Sequence, residues 1–579
     1  MTESSRSKMR LLGTVLGVAL IVGLVAAVLT VGWTAPEEEL DLGGRIGRIA
    51  VLPVQNNTGE IDQDWVRLAL AEMIADTMAE TAGVQVVSPE RVTALVHSRD
   101  LRASDAATRD RLRALVPKLG ASLVADFELR RSPRDRSAAH ERYELNLMVL
   151  DDKSTELLSV AAVGPDPVSL AAGLTLRLTG ALSGQTRPLP MDRIVAPSPF
   201  LGRLYGMGRS VVLEADSAAE GCKTAQGYFD ITLAAQPNFR AAQFQLARCE
   251  RRLGNLAQAR RLYFDVQTAA QNRGLRRRES DCYVELAGLE AAAGETRKGV
   301  ELARRGLKLA TDRGDEAVRL KSLKLLSRLA LGHGEDEDAL DLYDEMLERQ
   351  TALGDRLGRA ETLVALGNFE LARSNHEAAE NHLQEALGMV QDVGDLWTET
   401  RVLSTLGDLA SRRGDPVAAL DLWRRAHDFY AQRSETGYQV LLQRNIAETL
   451  LAQNDLESAE DAFQDLRELA IEKGDEPVEA MASANIAWIL LRRGYPAIAK
   501  AHLDRAIALD RQLNNPRMLQ RLIAWYAYEQ GNYNLAITTL NAVKRQSGDL
   551  WSPVEEEFLK TFIAAREAGE RLPLPDLGS

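Results

Sequence analysis

The chain has 579 residues, which at about 150 residues per domain allows three or four ordinary domains or one long repeat array and excludes a single compact core. Apolar residues make up 45% and charged residues 26%, values that exclude wholesale disorder and a polytopic membrane protein. With 70 basic against 83 acidic residues the net charge is −13, which repels a phosphate backbone over the molecule as a whole, so no nucleic-acid partner is expected. Aromatic residues are only 5%, and the apolar content is dominated by Ala and Leu, which predicts a mostly helical protein. Cys222, Cys249 and Cys282 are too few and too odd in number for a disulfide framework and have no zinc-type spacing, so they read as small buried side chains.

Residues 1–10 form a basic stub with Arg6, Lys8 and Arg10. Leu11 to Trp33 then supply 23 consecutive uncharged, mostly apolar positions, and at about 1.5 Å per residue a helix of that length crosses a bilayer core of about 30 Å. A secretory signal has an apolar core of only about 7–15 residues and a cleavage site of small residues, where this run has Trp33. Basic residues before the span and Glu37, Glu38, Glu39 and Asp41 after it predict a single-pass protein of a bacterial inner membrane, with its C-terminal bulk in the periplasm.

An acidic linker (34–43) leads to a segment that reads as a small α/β domain over 44–184. Arg45 to Val54 predict a buried strand, Gln55 to Gly59 a turn, and Trp65 to Glu80 an amphipathic helix. Val84 to Val87 complete a β-α-β unit. Further helices are predicted at Pro89 to His97, Ala106 to Leu119 and Pro167 to Leu182, and strands at Leu123 to Leu129, Tyr143 to Leu150 and Leu157 to Val163. The stretch IAVLPVQNNTGEIDQDWVRLALAEMIADTM, followed by VVSPERVTAL, resembles the FlgO-like or TolB amino-terminal-like α/β module of bacterial envelope proteins. Ile49 to Pro53 match its first strand and Asn57, Thr58 and Gly59 its turn, while Val54 stands where relatives usually carry Phe.

After a second linker (185–197), small or turn-forming residues recur every 40 positions: Gly254, Gly294, Gly334, Ser374, Gly414, Asn454 and Gly494. Five residues after each stands Ala259, Gly299, Ala339, Ala379, Ala419, Ala459 or Ala499, and twenty after each stands Gly274, Gly314, Gly354, Gly394, Ser434, Gly474 or Asn514. Two helices per period, joined by turns with left-handed residues, are predicted. The spacing Gly407, Ala419, Trp423 and Ala426, repeated at Gly367, Ala379, Leu383 and Ala386 and at Ala487, Ala499, Leu503 and Ala506, resembles the tetratricopeptide repeat. Nine repeats are read over 198–550, followed by a capping helix and tail over 551–579. The resemblance implies an α-solenoid, a right-handed superhelix with a concave face lined by the first helix of each pair.

Transferring that rule to this chain selects Arg248, Arg251, Arg252, Lys321, Lys324, Arg328, Arg401, Arg412, Arg444, Arg492 and Arg521, against Asp281, Glu361, Asp408, Glu448 and Glu529. Phe244, Trp488, Trp525 and Tyr528 fall on or near the same face, and Arg with aromatic side chains are usual interface anchors. These residues are the expected groove for a protein or peptide partner of acidic or amphipathic character.

No catalytic, cofactor or metal motif is read. Gly221-Cys222-Lys223-Thr224 lacks the Gly-Lys pair of a phosphate loop, Gly206-Met207-Gly208 fits helix packing, and His376 with His382 share no helix face. The expected function is a membrane-anchored periplasmic scaffold without enzymatic activity. The alternative is the sensory or signal-transducing part of a membrane regulator of winged-helix or kinase type, which span, module and repeats together resemble. Only ten residues precede the span, so the effector half is not in this sequence, and an upstream start would favour the alternative.

Overall fold

The computed structural model describes residues 47–575 apart from 82, 99–105, 133–141, 184–197, 216–217, 434, 510–515 and 548–550. The span read at 11–33 lies outside the described residues, and among those described no helix is long and apolar enough to cross a membrane.

The first module contains, in chain order, β1 (Arg48–Val51), β2 (Gln55–Asn57), α1 (Ala71–Glu80, entered through a π turn at Val66–Leu70), β3 (Gln85–Val86), α2 (Pro89–Ser98), α3 (Ala106–Leu115), β4 (Leu123–Arg131), β5 (Tyr143–Asp151), β6 (Glu156–Gly164) and α4 (Pro167–Ser183). The sheet order is β3-β1-β4-β5-β6, with β2 also on β4. β1 runs parallel to β3 and β4, which makes β1-α1-β3 the β-α-β unit, and β4, β5 and β6 form an antiparallel meander. Met73, Ile74 and Met78 of α1 and Leu170, Leu174 and Leu178 of α4 share one core with Phe127, Leu145 and Leu147 of the sheet. Gln55–Asn57 is a correction: these residues pair in parallel with Glu128–Arg130 of β4, and the turn starts only at Thr58. The Asn56 Oδ1 accepts from the Thr58 backbone at 3.2 Å, so its side chain shapes the bend that its backbone precedes.

The remainder is helical. The first pairs are α5 (Pro199–Glu214) with α6 (Ala218–Ala235), α7 (Arg240–Arg252) with α8 (Leu256–Arg273), α9 (Arg276–Ala292) with α10 (Thr296–Arg313), and α11 (Glu316–His333) with α12 (Asp336–Ala352). Next come α13 (Arg356–Ala372) with α14 (His376–Val393), α15 (Leu396–Arg412) with α16 (Pro416–Ala431), and α17 (Thr436–Ala452) with α18 (Leu456–Lys473). The last are α19 (Glu476–Arg492) with α20 (Pro496–Ala508), α21 (Pro516–Glu529) with α22 (Tyr533–Ser547), and the single helix α23 (Pro553–Ala568). The described periodic turn residues all have positive φ, including Ser374 at 62° and Asn454 at 61°. Ala259, Ala339, Ala379, Ala419, Ala459 and Ala499 are all 0% exposed, as a helix contact without room for a longer side chain requires. A Cβ at Gly407 would lie 2.6 Å from the Trp423 ring, so this glycine seats the indole of the second helix in its repeat.

The chain divides into two compact units, one of residues up to Leu366 with Glu385–Trp397, the other of Gly367–Gln384 with Thr398–Ser579. Within the first unit the α/β module is docked on the repeats by charge. Glu72 of α1 receives Arg209 of α5 through bonds of 2.9 and 2.7 Å, both side chains being 5% exposed. Gly206, one turn earlier on α5, leaves room for the Trp65 ring. Farther along, Arg278 faces Asp76 at 3.5 Å, Arg313 donates to the Ala79 carbonyl at 2.7 Å, and Gln85 donates to the Gly314 carbonyl. Arg91 pairs with the fully buried Asp355 side chain, Leu119 and Asp355 form an antiparallel bridge, and Lys118 reaches Asp392 at 3.1 Å.

Two expectations follow from this packing. Gly407→Ala overpacks against Trp423 and should cost roughly 1–3 kcal/mol in denaturant unfolding, whereas Gly388→Ala, an exposed helical position with nothing within 4 Å of the new Cβ, should stabilise by about 0.5–1 kcal/mol. Asp355→Ala leaves the Arg91 guanidinium without its buried partner and should cost about 3 kcal/mol, read as a lower melting temperature of the intact chain.

Candidate functional site

The first helix of each pair presents one face on which the sequence-selected residues are found, and the two units treat that face differently. In the first unit four of its six selected cations are neutralised. Lys321 of α11 reaches Asp281 at 2.5 Å and Glu285 at 2.9 Å on α9, Arg251 of α7 faces Glu285 at 3.6 Å, and Lys324 reaches Glu361 of α13 at 3.1 Å. Burial pushes the Glu285 carboxyl up, but Lys321, Arg248 and Arg251 outweigh it and bring it down to about 2. Arg248 pairs with Glu90 of the α/β module at 3.0 Å. Arg252 has only the Cys222 sulfur, at 3.8 Å, and Arg328 is exposed without an ion pair among the described residues. Phe244 is 2% exposed, edge-on to Tyr263 at 5.4 Å and covered by the Arg278 guanidinium at 4.5 Å, so it belongs to the helix core and not to a groove.

The signal for this ladder was present in the sequence. Asp281 precedes Lys321 by one 40-residue period, and Glu285 and Glu361 lie 36 and 37 residues from their lysines. Opposite charges at equivalent positions of successive repeats meet across adjacent helices. The docking partners Asp76, Glu90 and Arg91 carried no such signal, because their register depends on how a separate domain sits.

In the second unit Arg521 pairs with Glu555, and the other sequence-selected arginines have no such partner among the described residues. Arg401, Arg444 and Arg492 form no ion pair among the described residues; Arg412 donates to the Leu371 carbonyl at 3.0 Å. Asp408 accepts from Trp423 Nε1 at 3.0 Å and Asn445 at 3.4 Å, and burial raises its carboxyl against the pull of the Trp423 bond. Glu448 is exposed. Arg492 lies 5.0 Å over the Trp488 ring, and Trp488 meets Trp525 edge-on at 6.4 Å. Beside them a cavity of about 210 Å³ is lined by Trp488, Met518, Leu522, Trp525, Phe558 and Phe562, with the Arg521 and Glu555 ion pair at its margin. Tyr528 is absent from that lining. It is 0% exposed, stacked on Phe562 at 4.4 Å, and its hydroxyl donates to the Leu572 carbonyl at 2.6 Å, which pins the C-terminal tail.

Of the fifteen residues selected from sequence, the structure thus gathers Trp488, Arg492, Arg521 and Trp525 around one cleft, ties Arg248, Arg251, Lys321 and Lys324 into internal pairs, and places Phe244 and Tyr528 in the core. Met518, Leu522, Phe558 and Phe562 were missed, the last two because they come from the capping helix. Among the described residues no cluster of His, Cys, Asp and Glu has the makings of a metal site.

Models of the tetratricopeptide repeat family match residues 358–432 and, separately, 215–273 and 485–549. No curated protein sequence matches the chain. Among solved structures it is similar to a signal-transduction ATPase with numerous domains bearing a tetratricopeptide repeat sensor, from Pyrococcus horikoshii, at 14% identity and a TM-score of 0.43, covering 62% of this chain and 56% of that one. The chain therefore spans little more than half the length of that protein. It is also similar to the apo form of the quorum sensor NprR from B. thuringiensis (12% identity, TM-score 0.42, covering 59% and 95%) and to the apo form of RapI (14%, 0.36, covering 47% and 98%). The family matches fall on helix pairs of both compact units: the repeats of this chain are tetratricopeptide repeats in a helical solenoid that follows a small α/β module.

Proposed function

We propose that the chain is an interaction scaffold without enzymatic activity, in which the second unit takes an acidic or amphipathic peptide on the face of α15, α17, α19 and α21. One observation carries this reading: Arg401, Arg444 and Arg492 stand without carboxylate partners among the described residues on the first helices of the repeats that also supply the Trp488–Trp525 cleft, while Lys321 and Lys324 of the first unit are internally paired. An apolar side chain fills the cleft and its acidic neighbours meet the arginines, which combines a buried anchor with charge-assisted hydrogen bonds. Residues 11–33 anchor the scaffold in a bacterial inner membrane with the repeats on the periplasmic side, a placement supported by the uncharged run and its flanking charges. A sensory or signal-transducing role is the second reading, favoured by the ion-paired docking of the α/β module, because ion pairs across a domain seam are contacts that a signal can make or break.

Panning a random peptide library against the intact chain tests the first reading. Peptides with Asp or Glu beside Leu, Phe or Trp should be enriched, and their binding should fall at least about tenfold, or about 1.4 kcal/mol, in Arg444→Glu/Arg492→Glu. Lys324→Glu should leave it unchanged. Enrichment of peptides indifferent to the double reversal contradicts the proposal.

A further inference from the structure

A second cavity, of about 230 Å³, lies within the first unit at the seam between the α/β module and the repeats. Helix α2 contributes Glu90, Thr93 and Ala94, helix α5 Arg209 and Val212, and helix α7 Gln245, Arg248, Cys249 and Arg252. Two of its three guanidinium groups are already committed. Arg209 is doubly bonded to Glu72, and Arg248 is bonded to Glu90 at 3.0 Å. Arg252 has no carboxylate partner among the described residues: its one contact is the Cys222 sulfur at 3.8 Å, a weak acceptor. Gln245 is 3% exposed, and its Oε1 has no donor among the described residues. A buried acceptor left unmatched keeps its full desolvation penalty, so the position calls for a donor from whatever enters the cavity.

We infer that this cavity binds a small 2-hydroxycarboxylate, whose carboxylate takes the Arg252 guanidinium while its hydroxyl donates to Gln245 Oε1. The one guanidinium of the three without a carboxylate partner sets a single negative charge, and the planar fork of Arg matches a carboxylate through two parallel bonds. The orphaned acceptor sets the hydroxyl. The walls come from both the module and the repeats, so the ligand binds the docked arrangement and stabilises it by mass action. This site is separate from the peptide face of the second unit and does not depend on it.

Lactate and propionate, which differ by the hydroxyl alone, are the probes, added to the intact chain at matched ionic strength. Lactate should raise the melting temperature saturably, propionate should give at most a tenth of that affinity, and Arg252→Gln, a change at an exposed position, should abolish the lactate response. Gln245→Leu should keep the fold and bring lactate down to the propionate level. If Gln245→Leu does not fold, the comparison of lactate with propionate on the native chain carries the same information. Equal responses to the two acids, a lactate response that survives Arg252→Gln, or a saturable Arg252-dependent response to inorganic phosphate that matches lactate would overturn the assignment.

Discussion

A helical hairpin has an apolar stripe that it cannot bury by itself, and everything in this molecule beyond the sheet depends on that constraint. The answer is a small residue at one position of each period, fully buried from Ala259 to Ala499, which lets the next hairpin approach. Left-handed turn residues from Gly254 to Gly494 then reset the chain direction, so each hairpin repeats the geometry of the last. Close stacking also brings the first helices of neighbouring repeats side by side. That proximity makes their facing side chains a surface with its own chemistry.

The surface is divided between two uses. In the first unit, Lys321 and Lys324 pair with Asp281, Glu285 and Glu361, and Arg248 and Asp355 of the repeats hold Glu90 and Arg91 of the α/β module. Such buried or half-buried pairs lose most when one member is removed, which makes them devices of register more than of net stability. In the second unit Arg401, Arg444 and Arg492 form no ion pair among the described residues, and Arg492 lies over the Trp488 ring. The net charge of −13 averages over both surfaces and describes neither.

Much of the fold was legible because its signals are local. The strand at Tyr143–Asp151 alternates buried and partly buried side chains, and the 40-residue period marks turns whose φ values are positive even at Ser374 and Asn454. Gln55–Asn57 has no strand signal of its own, because its strand character comes from pairing with β4, a partner some 70 residues away, and polar residues in a short segment leave no pattern. Phe244 and Tyr528 were assigned to the groove because a helix turns about 100° per residue, and a large ring at the border of a face is drawn inward where burial rewards it. The docking of the module had no legible signature, since interdomain ion pairs such as Arg91 with Asp355 join positions 264 residues apart.

The central claim is that the α/β module and the first repeats form one interlocked body through these charges. Hydrogen exchange on the intact chain tests it most directly. Amides of Leu119, Gly120 and 353–356, which meet at the bridge between Leu119 and Asp355, should exchange slowly and should open together in a single step as denaturant is raised. Exchange of the two segments at separate denaturant concentrations, or at unprotected rates in the native chain, would contradict it.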